Sequence, residues 1–177
     1  MNKSWVGITL VACFLQGCGS GSAPEPDVAT NMVVSSSSFA SGQAIPEKYS
    51  AYGENVSPAL SWSGAPSGTK SFVLLLEDPD APSKTPFVHW LVYNIPGGTT
   101  SIGEGQSPAG GVVGKNSANM VAYYGPKPPG GMHHYHFIVY AVDTVLVLES
   151  GAEKDAVVKA MAGHALGRGE LVGTYSH

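Results

Sequence analysis

Three short segments concentrate the side chains able to hold a proton, an anion or a metal. Glu77-Asp78-Pro79-Asp80-Ala81-Pro82 directly follows an apolar run, so its carboxylates sit in a turn whose prolines fix φ. Such carboxylates can orient an imidazole, or they can serve ordinary turn chemistry. His89 opens the apolar segment 88–94 (VHWLVYN), where an imidazole is either a buried, hydrogen-bonded side chain or part of a site. The densest segment is 125–136 (GPKPPGGMHHYH), whose rigid Pro128-Pro129 step is flanked by glycines that let backbone approach a ligand closely. Period-2 alternation on the strand that follows sends His133 and Tyr135 to one face and His134 and His136 to the other. The second pair has the H-x-H spacing that suits zinc or copper, but no third ligand is placed, so no metal is assigned. Motifs of established chemistry are absent: there is no H-E-x-x-H and no G-x-x-x-x-G-K-[ST]. Residues 103–108 (GEGQSP) begin as a dinucleotide fingerprint and end in proline, and 105–109 (GQSPA) lacks the final glycine of a nucleophile elbow. No cofactor is expected.

The elements that must position these groups read as mostly β. Segments 71–77 (SFVLLLE), 88–94 and 135–143 (YHFIVYAVD) have strand length and are bounded by Gly or Pro clusters, with weaker candidates at 59–62, 119–124 and 170–175. Long Gly- and Pro-rich loops at 96–116 and 125–132 separate them, and loops of that length are more often functional than idle. One late segment has helical period. Ser150 and Glu153 have capping-box spacing, and Val157, Ala160, Met161, His164 and Ala165 share one face. Gly167 suits the left-handed position that ends a helix. His164 reads as a helix-end side chain.

The 177 residues carry a formal charge of −4, 43% hydrophobic and 12% charged residues, with 23 Gly and 13 Pro. That is one domain with tails, too apolar to be disordered. Arg168 is the single arginine, and no basic stripe exists to meet a phosphate backbone, so nucleic acid is excluded as a partner. The N-terminus carries Lys3 and then an apolar run, 5–15, of secretory length and too short to span a bilayer. Leu15-Gln16-Gly17-Cys18 resembles the lipobox of bacterial lipoproteins, with Gln16 its less usual residue; the alternative is an ordinary signal peptide with an incidental Cys. The expected organisation is a signal peptide over 1–17, a lipidated Cys18 with a flexible tether over 18–30, and the domain over 31–177. Cleavage before Cys18 removes Cys13 and brings the charge to −5, and acylation of Cys18 leaves no thiol for a disulfide. The Gly/Ser/Pro-rich composition of 19–30 is that of a segment that packs against nothing.

Several blocks together resemble the bacterial and archaeal branch of the phosphatidylethanolamine-binding protein family. They are Ser57-Pro58-Ala59-Leu60-Ser61-Trp62, the turn at 78–82, His89-Trp90-Leu91-Val92-Tyr93-Asn94-Ile95-Pro96, Gly114-Lys115-Asn116, the run from Gly125, and the tail 163–175. They stand in family order over about residues 36–177. The resemblance implies an antiparallel β-fold with a late helix and a small anion pocket at one end. It carries the pocket over to Asp78, His89, His133 and Tyr135, with Pro128 and Pro129 as a wall, and matches Pro82 to a proline often preceded by a cis bond. The family's usual His-Arg-Tyr is here His133-His134-Tyr135, which leaves the arginine's pairing open. The implied function is a lipid-anchored envelope protein that takes a phosphate-type or carboxylate headgroup, in a role that modulates a partner kinase or protease. A hydrolase using Asp78, His89 and His133 is the alternative. Gly19 after the lipidated Cys lacks the Asp that retains lipoproteins at an inner membrane, which favours the outer membrane in a two-membrane cell.

Overall fold

The computed structural model describes residues 23–177; the signal segment and Cys18 lie outside the described residues. In chain order the elements are β1 (Val33–Ser35), a 3-10 turn (Glu47–Tyr49), β2 (Leu60–Ser63), β3 (Ser71–Asp78), β4 (Phe87–Pro96), β5 (Ser101–Ile102), β6 (Val112–Val113), β7 (Met132–Val142), α1 (Lys154–Met161) and β8 (Ala165–Ser176). They form a five-stranded sheet ordered β6-β4-β3-β7-β8 and a three-stranded sheet ordered β1-β2-β5, with every strand pairing antiparallel.

The run SFVLLLE lacks alternation because β3 is central and covered on both faces, so it is buried at every position. On one face Phe72, Leu74 and Leu76, with Phe137 and Val139, meet Val34, Leu60 and Trp62 of the smaller sheet. On the other, Val73, Leu75, Ile138 and Tyr140 pack under Val157, Val158 and Met161 of α1. The mostly β, antiparallel fold with one late helix is the one the sequence implies.

Several details differ from the sequence reading. Helix α1 begins after Glu153 with no side-chain cap, so Ser150 and Glu153 form no capping box, and it ends at Ala162. Gly163 (φ 78°) takes the left-handed position assigned above to Gly167. Gly167 lies instead in β8, where an added Cβ would stand 2.2 Å from Asn31 Oδ1. His164 therefore lies beyond the helix, its Nδ1 2.8 Å from Asp143 Oδ1. Segment 119–124 is loop rather than strand, because Asn116 gathers it: its Oδ1 accepts from Ala118 and Met120 N–H, and its Nδ2 donates to the Ala122 carbonyl. Every described peptide bond, Ala81–Pro82 included, is trans.

A further difference concerns the tether, which from Ala23 onward is docked rather than free. Ala23 N–H donates to Asp155 Oδ1 at 3.3 Å, the Glu25 carboxylate accepts from Lys154 Nζ at 2.6 Å and from the Tyr140 hydroxyl, and Ala29 carbonyl accepts from Arg168 N–H at 3.0 Å. Val28 packs on the α1 side of the sheet. Composition alone missed this because one carboxylate and one valine, matched to a half-buried lysine and an apolar face, outweigh the surrounding Gly, Ser and Pro.

Candidate functional site

The end of β3, the start of β4 and the start of β7 meet at one end of the five-stranded sheet, since Asp78 pairs with Phe87 and Glu77 with His136. Successive residues of β3 face opposite ways, so Asp78 turns to the side of Leu76 and Glu77 to the other. His133 and Tyr135 reach the Asp78 side from β7 by the same alternation.

His89 arrives by a different route. Leu76 pairs with Trp90 and Glu77 with Val88, so β4 carries one more residue than β3 across this step, and that residue is His89. The bulge lets His89 and Trp90 both serve the inter-sheet side, whereas strict alternation would have separated them. Bulges of this kind re-aim side chains beside functional sites.

Asp78, His89 and His133 are all buried, at 3%, 3% and 7% exposure, which for ionisable groups demands partners. Asp78 Oδ2 lies 2.7 Å from His133 Nδ1, and Asp78 Oδ1 accepts from Asp80 N–H at 2.8 Å, tightening the turn. His89 Nδ1 lies 2.8 Å from the Tyr124 carbonyl. A carbonyl or carboxylate only accepts, so in both rings Nδ1 carries the hydrogen and Nε2 is left for the cavity. Burial pushes the His89 pKa below its ordinary value, against the raising effects of the Tyr124 carbonyl and the Asp78 charge. The His89 ring is flanked by Phe87 (centroids 4.7 Å) and stacked on Tyr124 (5.8 Å, 10°).

Tyr135 stands behind these groups, edge-on to His89 with centroids 5.3 Å apart. Its hydroxyl is buried and has no hydrogen-bond partner among the described residues. Burial, with the Asp78 charge adding to it, drives its pKa far up, so it remains a phenol donor.

Asp78, His89, His133 and Pro129 line a cavity of about 330 Å³, while Tyr135 is buried and is not among its lining residues. Pro128 is buried and is not among the lining residues; its carbonyl accepts from the Tyr52 hydroxyl at 2.9 Å. Phe87, Tyr124 and Lys127 also line the cavity and were given no role from sequence. Tyr124 was read as a weak strand. Its true signal is Gly125 beside it, where a Cβ would lie 2.3 Å from the Tyr49 carbonyl oxygen, so only glycine lets this loop lie against the 3-10 turn.

The other histidines of β7 point away, as alternation requires. His134 Nδ1 and its own N–H both reach Asp80 Oδ2, at 2.7 and 2.8 Å, and this hydrogen bonding holds the Asp80 carboxyl below its usual range. His136 Nδ1 lies 2.6 Å from Glu170 Oε1. Each ring thus has its own carboxylate, and among the described residues no group of three or more His, Cys, Asp or Glu could hold a metal. A larger depression, about 460 Å³, opens on the α1 face beside Val88, Lys115, Lys154 and Asp155. Its lysines are committed to Glu153, Glu25 and Glu77, which leaves it little to offer an anion.

Comparison with known proteins agrees with this architecture. The chain is 48% identical over 136 residues to a UPF0098 protein of Methanothermobacter thermautotrophicus, covering 74% of this chain and 89% of that one. It is 37% identical over 190 residues to the Mycobacterium tuberculosis protein named "Putative lipoprotein LppC", covering 96% and 92% of the two chains. The solved structure of a Chlamydia trachomatis homologue of phosphatidylethanolamine-binding protein superimposes with a TM-score of 0.79 at 39% identity, covering 84% of this chain and 99% of that one. With the phosphatidylethanolamine-binding protein model matching residues 35–176, the chain belongs to that family.

Proposed function

We propose that the chain is a lipid-anchored binding protein of the cell envelope whose cavity takes a phosphate-type or carboxylate anion, the chemistry a phospholipid headgroup carries. The observation that supports this most is the commitment of both imidazole Nδ1 atoms to internal acceptors, which leaves two Nε2 atoms for a ligand in one cavity. An imidazolium Nε2–H donates to an oxyanion, and a charge-assisted bond of this sort is roughly twice as strong as a neutral one. The Tyr135 hydroxyl is a further donor without an internal acceptor, and the Lys127 side chain brings positive charge to the rim. Asp78 then acts as orienter of His133 rather than as a contact to the anion, since two negative groups would repel. The anchor rests on Cys18 and on the lipoprotein name of the Mycobacterium tuberculosis relative; the outer membrane remains our choice for a two-membrane cell because of Gly19.

Calorimetric titration with sulfate, inorganic phosphate and phosphorylethanolamine tests the reading. Binding of all three, lost in His133→Ala, is the expected result; no heat from any of them, or binding indifferent to that substitution, refutes it. The hydrolase reading has one observation in its favour, the buried Asp78–His133 pair, which is an acid/base unit in form. Turnover of phosphoester or carboxyl ester substrates that disappears in His133→Ala would replace binding by catalysis.

A further inference from the structure

The docked segment that precedes β1 has a direction. Thr30 bridges Arg168, which pairs with Tyr140 toward the end of the sheet where β7 finishes. Moving back along the chain, Glu25 lies between Tyr140 and Lys154, and Lys154 Nζ also donates to Glu77. Ala23 then reaches Asp155, which with Val88 and Lys154 lines the separate depression on the α1 face. Residues 30 to 23 therefore run from the far end of the sheet to the end where Glu77, and next to it Asp78, leave β3.

Chain length turns that direction into an orientation. Cys18 precedes Ala23 by five residues, a reach of at most about 18 Å. Were the segment free back to Thr30, the reach would be roughly 43 Å. A domain of this size has a radius of gyration near 15 Å and is about 40 Å across. The shorter reach does not carry an anchor around the protein to its opposite end; the longer one does. Resting on the reading of Cys18 as acylated, we infer that residues 23–30 are a strap that holds the cavity-bearing end of the sheet against the lipid surface in which the anchor sits.

The surface at that end fits such an occupant. Met120, Val121 and Met132 are exposed there at 41%, 50% and 61%, from the loop beside β4 and the first residue of β7. Lys84 and Lys127 are exposed in the neighbouring turns. Apolar side chains that enter the headgroup zone, interleaved with lysines for lipid phosphates, are the chemistry of interfacial contact. Val145 and Val147 are also exposed, at 58% and 98%, but they follow the last residue of β7 and so lie at the opposite end, away from the bilayer.

The test uses the lipidated chain reconstituted in phosphatidylcholine–phosphatidylglycerol vesicles that carry a nitroxide-labelled lipid. A fluorophore is placed through Met120→Cys or Val147→Cys; the thiol of Cys18 carries the lipid, so the introduced thiol alone reacts. Loss of fluorescence at position 120 and none at 147 is expected. Inserting about twelve Gly/Ser residues after Ser22 adds roughly 40 Å of reach without touching the fold. It should bring the two labels to equal quenching, and Glu25→Gln, which releases the strap from Lys154, should move them the same way. Equal quenching in the parent chain, or a difference that survives the insertion, overturns the strap. A chain that fails to float with the vesicles overturns the anchor and the orientation together, while sulfate titration of the pocket in solution reports on neither.

Discussion

A proton should accompany anion binding, and His89 is the residue that should supply its site. Its Nδ1–H is spent on the Tyr124 carbonyl, so the neutral ring offers the cavity a lone pair at Nε2, which repels an oxyanion. Only the imidazolium donates there. Burial holds the folded-state pKa below the ordinary 6.5, so near neutral pH the free protein is unprotonated at this position. An anion reverses the balance by stabilising the charged ring, and affinity must climb as pH falls, levelling off once the free imidazole is itself protonated. A hydrogen bond to a charged group is worth roughly 1.5–3 kcal/mol, or about 10- to 150-fold in affinity across the titration. Sulfate is the probe of choice because its charge is constant, whereas phosphate loses a proton near pH 6 and opposes the trend. Calorimetry in two buffers of different ionisation heat counts the protons taken up. We expect proton uptake on sulfate binding between about pH 6 and 7.5, and its reduction in His89→Gln, whose amide donates without charge at every pH. No net uptake in the parent protein, or an unchanged pH slope in His89→Gln, would refute the assignment of His89.

Three further outcomes follow from the same contacts. Tyr135→Phe removes a buried hydroxyl without an internal partner, so it should leave the melting temperature of the free protein unchanged or raised while weakening sulfate by up to about 1.5 kcal/mol; a drop in stability with affinity unchanged would contradict the site. A chain begun at Ser36 loses β1 and the buried Met32 and Val34, which should cost several kcal/mol, on the order of 2–5 for a methionine-sized core truncation, whereas one begun at Asn31 should lose far less; urea midpoints in that order, unaffected by reductant, are the check. Cys18→Ser should move the protein out of the membrane fraction, and continued palmitate incorporation in that variant would exclude Cys18 as the acylated residue.

Much of the fold is legible in the sequence because its central strands are apolar throughout and its turns carry Gly and Pro. The resemblance named Asp78, His89 and His133, and alternation separated His133 and Tyr135 from His134 and His136 correctly. What alternation could not give is the bulge at His89, since a one-residue offset between β3 and β4 leaves no mark in composition. Phe87, Tyr124 and Lys127 were missed for a related reason: they reach the cavity through a turn and through a loop knotted by Asn116, and loop geometry depends on hydrogen bonds rather than on period. The helix start was misplaced because Ser150 and Glu153 have the right spacing for a cap, but Gly151 in the left-handed region (φ 79°) turns the chain between them.

Glu77 and Asp78 show how the two halves of the proposal meet. Adjacent in β3, they are forced to opposite faces of the sheet, and each holds a cationic or potentially cationic partner: half-buried Lys154 for Glu77, buried His133 for Asp78. Burial, together with the Glu25 carboxylate that shares the same lysine, pushes the Glu77 pKa up, while Lys154 and Tyr140 draw the Glu25 pKa down against its own burial. The lysine is thus the point on which the strap depends, and its own pKa is raised by the two carboxylates against the opposing effect of burial. The Glu25 contribution is present above the ordinary glutamate pKa and lost as pH falls through the lowered folded value, so acid frees the strap from below that range rather than near neutrality. Protonation of His89, by contrast, is lowered from its ordinary value by burial and is favoured again by a bound anion. At any pH above the ordinary glutamate pKa the strap keeps Glu25 ionised and docked, so anion binding measured there is measured with the strap in place.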